Sequence, residues 1–547
     1  MFKYKKLTIG LVLGLLILPY FSRAVSLEQT FNIDANYDIS GRNKINAQLI
    51  RTTNQLDFYA DKEWWTNIGN KDQINALIYN LSTEFEYKIY PTLTNLYGKL
   101  DDNHFIIVFH KMKTGYGGYT QIADFYSKNL YPQSNETPVI FLNIDALNLP
   151  FNNLTYYLSH EFTHLLSIEL KNKRYHIQDD TWLEELRAEY SETLLGYDKD
   201  FNNSILKNRV RNFLIYNTFS FKDWQNSDKD YADVNLLGHY LVEQYGINIL
   251  KDTLNTSFTG SEALDYALKK NGYNIDFEDV VRDWMIASVV NDCSISTKYC
   301  YQNSNLKNVK VNGEAYYLPT KFKSSLGGTD FLKNFSGKWL KIVGGLNTIN
   351  IKFNIPSETP IEQIPYVIIK TNGQKQVGFF DFSSINISEI YVSKMNDEVE
   401  AIYLMPYLFN KTLDDNKLYY YTFEVNSLEN NSQTEQQIIL KLTQQILELK
   451  RQLTQLQMQI ALKNTYQTNP TCSVFKRDLS YGMQSEEVKC LQQFLANLDS
   501  DIYPEKLITG YYGTLTLNAV KRYQAKYNLP QTGYFGPLTR ARANQEL

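Results

Sequence analysis

From about Val25 to Cys300 the chain alternates short, continuous apolar runs with longer stretches of helical period. HFIIVFH (104–110) and PVIFLNI (138–144) have strand length and polar borders, whereas LTYYLSHEFTHLLSIEL (154–170) and LLGHYLVEQYGINILKDTL (236–254) repeat apolar positions every three or four residues. That mixture predicts an α+β unit over residues 25–302. Past Gln302 the texture changes to KWLKIVG, NTINIKFN, YVIIKTN and KLYYYTFEV, split by Gly, Asn, Pro and Asp turns. Short strands at such intervals predict a β-sandwich over 303–428.

A third pattern follows. Ser432 and Glu435 form an S-x-x-E capping box, and Ile439, Leu442, Ile446, Leu449, Leu453, Leu456 and Ile460 recur at 3,4 spacing. Residues 429–465 therefore read as a coiled coil and linker. The seam from 439 to 460 suits a homodimer, and folding back onto its own chain is the alternative. The last segment, 466–547, repeats itself: TGYYGTLT (509–516) and TGYFGPLT (532–539) are glycine-anchored turns, each leading into a helical pattern. With SEEVKCLQQFLANL before them they predict a small all-α, three-helix module.

A length of 547 residues suits three or four such units. The start, MFKYKKLTIGLVLGLLILPYFSRA, has lysines, an apolar run from Leu7 to Tyr20, and small residues at Ser22 and Ala24. It reads as a secretory signal peptide over 1–24, the run being short for a span of about 20 residues; an uncleaved anchor is the alternative. No comparable run follows, so the mature chain is expected to be extracytoplasmic, with no membrane segment after cleavage. Removing Lys3, Lys5, Lys6 and Arg23 with the signal takes the formal charge from -4 to -8, which argues against nucleic acid as a partner. In an exported chain the four cysteines fall into two local pairs, Cys293 with Cys300 and Cys472 with Cys490, and two disulfides are expected.

Candidate chemistry centres on HEFTH, residues 160–164. Residues four apart on a helix project about 40° from each other, so His160 and His164 can share a tetrahedral cation, and Glu161 is placed to address a water on it. With 6 His in the chain, chance expects only about 0.003 such motifs, which outweighs the reading as two core histidines. Downstream, TWLEELRAEYSE (181–192) carries Glu184, Glu185, Glu189 and Glu192. HEFTH followed by this W-L-x-E pattern resembles the gluzincin metallopeptidases, secreted hyicolysin-like or peptidase MA-like members among them, whose fold is zincin-like. The resemblance implies Zn2+ held by His160, His164 and Glu185, with Glu161 as general base. It also implies Glu189 as the acid behind a histidine ligand, a role that suits its position one helical turn past Glu185. Glu184 and Glu192 read as solvated helix charges.

YADVNLLGHYLVEQYG (231–246) resembles the helix that follows the catalytic tyrosine in leukotriene-hydrolase-like and aminopeptidase-like gluzincins, which implies Tyr231 as an oxyanion donor. His239 reads as a packed histidine. The G-x-M-E-N motif that holds a free amine in the aminopeptidases does not occur, which favours internal cleavage. Residues 25–100 leave room for a removable pro-region.

The last segment resembles the three-helix peptidoglycan-binding domain through RDLSYGMQSEEVKCLQQFL, the two turns and PLTRARAN. Tyr511, Tyr512, Tyr534 and Phe535 either stack on sugar or fill the core. The expectation is a secreted zinc endopeptidase acting on protein or peptide and tethered to peptidoglycan. The alternatives are a hydrolase of peptidoglycan stem peptides and a non-catalytic wall-binding scaffold.

Overall fold

The computed structural model describes residues 26–101, 103–428, 474–499 and 501–547. The signal peptide, the 439–460 seam and Cys472 lie outside them. The chain forms two compact units, divided between Asn430 and Asn431.

The first unit begins with a six-stranded sheet built from β1 (Glu28–Asn32), β2 (Lys44–Thr52), β3 (Leu56–Asp61), β4 (Phe105–His110), β5 (Gly118–Thr120) and β6 (Val139–Asn143), in the order β1-β2-β3-β4-β6-β5. Strands β3, β4 and β6 run parallel, and the terminal strand β5 runs antiparallel to β6. Every residue of β3, β4 and β6 is buried, as expected where continuous apolar runs form central strands covered on both faces. Helices α1 (Lys62–Asn67), α2 (Lys71–Glu84) and α3 (Tyr90–Tyr97) lie between β3 and β4 in sequence. Residues 28–97 thus supply half the sheet, and Leu56, Phe58, Ile78, Leu81 and Leu93 join the main core.

Seven further helices follow: α4 (Phe151–Ser167), α5 (Thr181–Leu195), α6 (Ile205–Ile215), α7 (Asp228–Tyr245), α8 (Asn248–Leu254), α9 (Gly260–Lys270) and α10 (Phe277–Val290). The single helical period expected over 236–254 is two helices here. Gly246 adopts φ +85°, a conformation that side-chain-bearing residues rarely take, and it ends α7 while its N–H bonds to the Val242 carbonyl. Cys293 and Cys300 form a disulfide in the loop after α10.

The strands that follow build two facing sheets. One joins β8 (Glu314–Leu318), β11 (Leu340–Gly344), β13 (Gln363–Lys370), β14 (Lys375–Asp381) and β16 (Val399–Leu404). The other joins β9 (Ser325–Lys333), β12 (Thr348–Asn354), β15 (Ile387–Val392) and β18 (Leu418–Leu428). Ile342, Ile368 and Ile402 of the first meet Ile351, Phe353 and Val425 of the second in one core. This part is not insulated from the helices. Strand β7 (Thr218–Ser220), between α6 and α7, pairs with β10 (Ser336–Lys338), which also pairs with β17 (Tyr407–Leu408). Trp339 is buried among Phe213, Phe219 and Trp284 and donates its indole N–H to the Met285 carbonyl at 3.1 Å.

The described part of the second unit packs helices α11 (Glu486–Leu498), α12 (Thr514–Lys526) and α13 (Pro537–Ala543) around a core of its own that includes Phe475, Leu491, Tyr512, Val520 and Phe535. Cys490 is disulfide-bonded.

Because β3 carries core side chains and pairs directly with β4, a chain starting at residue 98 is expected to lose cooperative unfolding. Circular-dichroism melts of the truncated and complete chains check this; a sharp melt of the truncated chain would show that residues 26–97 are dispensable for the fold.

Candidate metal centre and groove

Helix α4 forms because Leu154, Leu158, Phe162, Leu165 and Leu166 recur at helical spacing and are all at most 1% exposed. Its other side carries His160, Glu161 and His164. Helix α5 packs against α4, with Leu183 and Leu186 in the same core as the apolar face of α4, and its N-terminal turn is anchored by Trp182, which stacks on Phe221 and Phe277. That packing points Glu185 at the two histidines.

The Nε2 atoms of His160 and His164 lie 3.1 Å apart, and Glu185 Oε2 lies 3.2 and 3.5 Å from them. A tetrahedral cation with bonds of 2.0–2.1 Å separates its ligand atoms by about 3.4 Å, so this donor set fits zinc. No other cluster among the described residues brings three such donors together. Glu185 Oε2 is buried and has no aligned hydrogen-bond donor, as expected of an atom kept for a metal.

The electrostatics follow from burial and mutual proximity. Burial pushes the Glu161 carboxyl up, against the pull of His160 and His164. Burial alone would lower His164, but the Glu185, Glu161 and Glu184 carboxylates lift it to about 9. Although buried, Glu185 is held well below the usual carboxylate range by His164 and His160. The Tyr231 hydroxyl is pushed far up by burial and by Glu185, Glu189 and Glu161, so it is a donor at neutral pH.

These groups line a cavity of about 360 Å³ that also includes Tyr37, Tyr116, Glu184 and Trp224. Tyr231, near the start of α7, reaches the cavity and donates to Asn226 Oδ1 at 2.5 Å. A second pocket of about 280 Å³ shares His160, Glu161 and Tyr231 and extends past Tyr157, Asn208 and Arg211. The edge strand β5 borders both cavities, and Gly118 together with Gly117 just before the strand explains how it comes so close. A Cβ on Gly117 would stand 2.1 Å from the Tyr157 ring, and one on Gly118 would stand 2.9 Å from Glu161 Cγ.

Glu189 lies behind His160, with Oε1 3.7 Å from Nδ1, beyond hydrogen-bond length. Its direct partners are others: Arg209 grips both carboxylate oxygens at 2.8 Å, Tyr156 donates at 2.5 Å and Asn235 at 3.1 Å. Glu192, read from the sequence as solvated, is buried and accepts the N–H groups of Ile205 and Leu206 at 2.9 and 3.0 Å, capping α6. Glu184 is half-buried in the groove rather than solvated, and burial lifts its carboxyl to about 7. His239 is packed as expected, buried beside Tyr190 with Nε2 3.1 Å from Thr193 Oγ1. The sequence reading missed Arg209, Tyr37 and Tyr116; the one local signal of the groove wall is the glycine-rich run TGYGGYT (114–120).

Residues 484–542 match the family model described as a putative peptidoglycan binding domain. The chain therefore carries a C-terminal peptidoglycan-binding domain, which supports peptidoglycan as a partner and association with the cell wall. No helix among the described residues is long and apolar enough to cross a membrane. No curated protein matches the chain. Similar solved structures include Aeromonas hydrophila PliG, a periplasmic inhibitor of g-type lysozyme, at 10% identity and TM-score 0.14 over 20% of this chain and 96% of that one. Carbohydrate-binding modules of the β-sandwich superfamily match at 14% and 0.14 over 22% and 64%, and the GH115 4-O-methyl-α-glucuronidase BtGH115A at 8% and 0.13 over 63% and 57%. For these last two the chain spans less than two thirds of the matched structure.

Removing Arg209 leaves Glu189, which is 0% exposed, charged and without its main partner. Arg209→Ala is expected to destabilise the first unit by about 3–5 kcal/mol, and Arg209→Lys to restore only part, since an ammonium cannot grip both oxygens in one plane. Denaturant melts of the two variants measure this.

Proposed function

We propose that the first unit is a secreted zinc endopeptidase of the gluzincin kind with a zincin-like fold, and that the C-terminal module holds it at the cell wall. The observation that carries this reading is the convergence of His160, His164 and Glu185 on one point, with Glu161 beside them in an open groove. A purely structural metal site needs ligands but no neighbouring base and no groove.

His160, His164 and Glu185 would hold the metal. When bound, zinc lowers the pKa of its water to about 7 and polarises a scissile carbonyl. Strand β5 ends the sheet, so one side of its backbone has no strand partner among the described residues and can align an extended peptide across the groove. Glu161 takes the proton of the attacking water and returns it to the leaving amine. The Tyr231 hydroxyl, turning from Asn226, donates to the oxyanion of the tetrahedral intermediate. Glu189 fixes the site indirectly, tying α5 to α6 and α7 through Arg209 and Asn235.

A second reading, hydrolysis of peptidoglycan's own stem peptides, is favoured by the wall-binding domain alone. Incubation with purified sacculi and with a denatured protein separates the two: release of new amino groups only from the protein supports the endopeptidase, and release only from sacculi supports the alternative.

The purified chain is expected to contain about one zinc, which Glu185→Ala loses, while Glu161→Gln keeps the metal and loses turnover. Metal analysis and peptide cleavage of both variants check this; near-normal cleavage by Glu161→Gln would overturn the mechanism. Deleting residues 466–547 is expected to abolish co-sedimentation with insoluble peptidoglycan and to leave cleavage of a soluble peptide unchanged within about twofold, because the module has a separate core.

A further inference from the structure

The sequence repeat of the C-terminal module is also a repeat in space. In the first copy, Gln492 donates from Nε2 to the Tyr511 carbonyl and Thr516 Oγ1, both at 2.9 Å, and accepts at Oε1 the N–H groups of Thr509 and Gly510 at 2.8 Å. In the second, Gln524 donates to the Tyr534 carbonyl and Thr539 Oγ1, both at 2.9 Å, and accepts the Gly533 N–H at 2.9 Å. Both glutamines are 1% exposed, so each spends its amide on one turn. Gly510 and Gly533 take φ of +75° and +71°, and the hydroxyls of Thr509 and Thr532 accept the Tyr511 and Tyr534 N–H groups.

The same clamp divides the aromatic pair of each turn. Tyr512 and Phe535 are fully buried in the module core, whereas Tyr511 and Tyr534 are 45% and 44% exposed. The Cδ1–Cε1 edge of each exposed ring approaches the glycine two residues on: a Cβ at Gly513 would stand 3.3 Å from Tyr511 Cε1, and one at Gly536 2.4 Å from Tyr534 Cε1. One edge of each ring thus rests against its own turn while the residue stays nearly half exposed. The Tyr534 hydroxyl is further fixed by donating to Asp478 at 2.8 Å.

We propose that Tyr511 and Tyr534 are two sugar-stacking platforms, one per repeat copy, by which the module grips the glycan strand of peptidoglycan; the proposal rests on the module's peptidoglycan-binding match. A flat, half-exposed aromatic ring offers its π face to the C–H face of a pyranose while its rim meets water and hydroxyls. Fixing the rings before binding removes most of the ordering cost of the contact. Two equivalent platforms suit a ligand that repeats one disaccharide along its length, which the glycan strand does and the stem peptide does not.

The test uses the full chain as wild type, Tyr511→Ala, Tyr534→Ala, the double Ala variant and the corresponding Trp variants. Co-sedimentation is measured with intact peptidoglycan and with glycan strands freed of their stem peptides, and calorimetry with soluble N-acetylglucosamine oligomers. Each Ala substitution is expected to weaken binding about 3- to 10-fold and the pair about 10- to 100-fold on all three ligands. The Trp variants should bind at least as well as wild type, which keeps the test decisive where an Ala variant fails to fold. Wild-type binding by the double Ala variant, weakened binding by the Trp variants, or loss of wild-type binding once stem peptides are removed would each overturn the proposal. Failure of the wild-type chain to bind intact peptidoglycan would instead remove the wall-binding reading beneath it.

Discussion

Helix α5 buries carboxylates on more than one side, and the need to satisfy each of them organises the helices around it. A buried carboxylate without a partner is costly, so each must meet a cation, a donor or a metal. Glu185 meets His160 and His164 on α4; Glu189 meets Arg209 on α6 and Asn235 on α7; Glu192 meets the free N–H groups at the start of α6. Arg187 pairs with Asp179, which also takes the Lys171 ammonium and the Gly260 N–H. The candidate centre is therefore one station in a polar network, and the position of Glu185 is fixed as much by its neighbours along α5 as by the histidines.

This network explains which parts of the site can be read from sequence. HEFTH is legible because its spacing is local and its helix is amphipathic. The strands β4 and β6 are legible because continuous apolar runs of that length have few other homes. The role of Glu192 was not legible: a glutamate on an amphipathic helix is ordinarily solvated, but α5 is enclosed by α4, α6 and α7, and its low contrast between faces gives no warning. Arg209 lies 20 residues from Glu189 and carries no local signature of its partner. Tyr37 comes from before β2, and nothing local distinguishes it among 42 tyrosines. The glycines of TGYGGYT were visible, but their purpose needed the approach of β5 to Tyr157 and Glu161 to be seen.

Changes in period mark where strands replace helices near residue 302, yet Trp339 and the β7–β10 pairing place sandwich residues in the main helical core. Texture reports local secondary structure; a shared core depends on contacts between distant segments, which periodicity does not encode.

The C-terminal module shows the opposite relation. Its repeat was visible as letters, while the division of Tyr511 from Tyr512 and of Tyr534 from Phe535 was not, because adjacent aromatic residues in a turn give no periodic signal. The deciding residues are Gln492 and Gln524, polar residues set in helices. With their amides spent on the turns, the backbone direction there is fixed, and one aromatic of each pair must enter the core while the other must leave it. A module this small has little apolar area to spare, so hydrogen bonds that fix a turn and a disulfide at Cys490 carry more of its definition than they would in a larger domain. The same two glutamines that hold the fold therefore decide which rings face outward, and binding surface and stability are coupled at those positions.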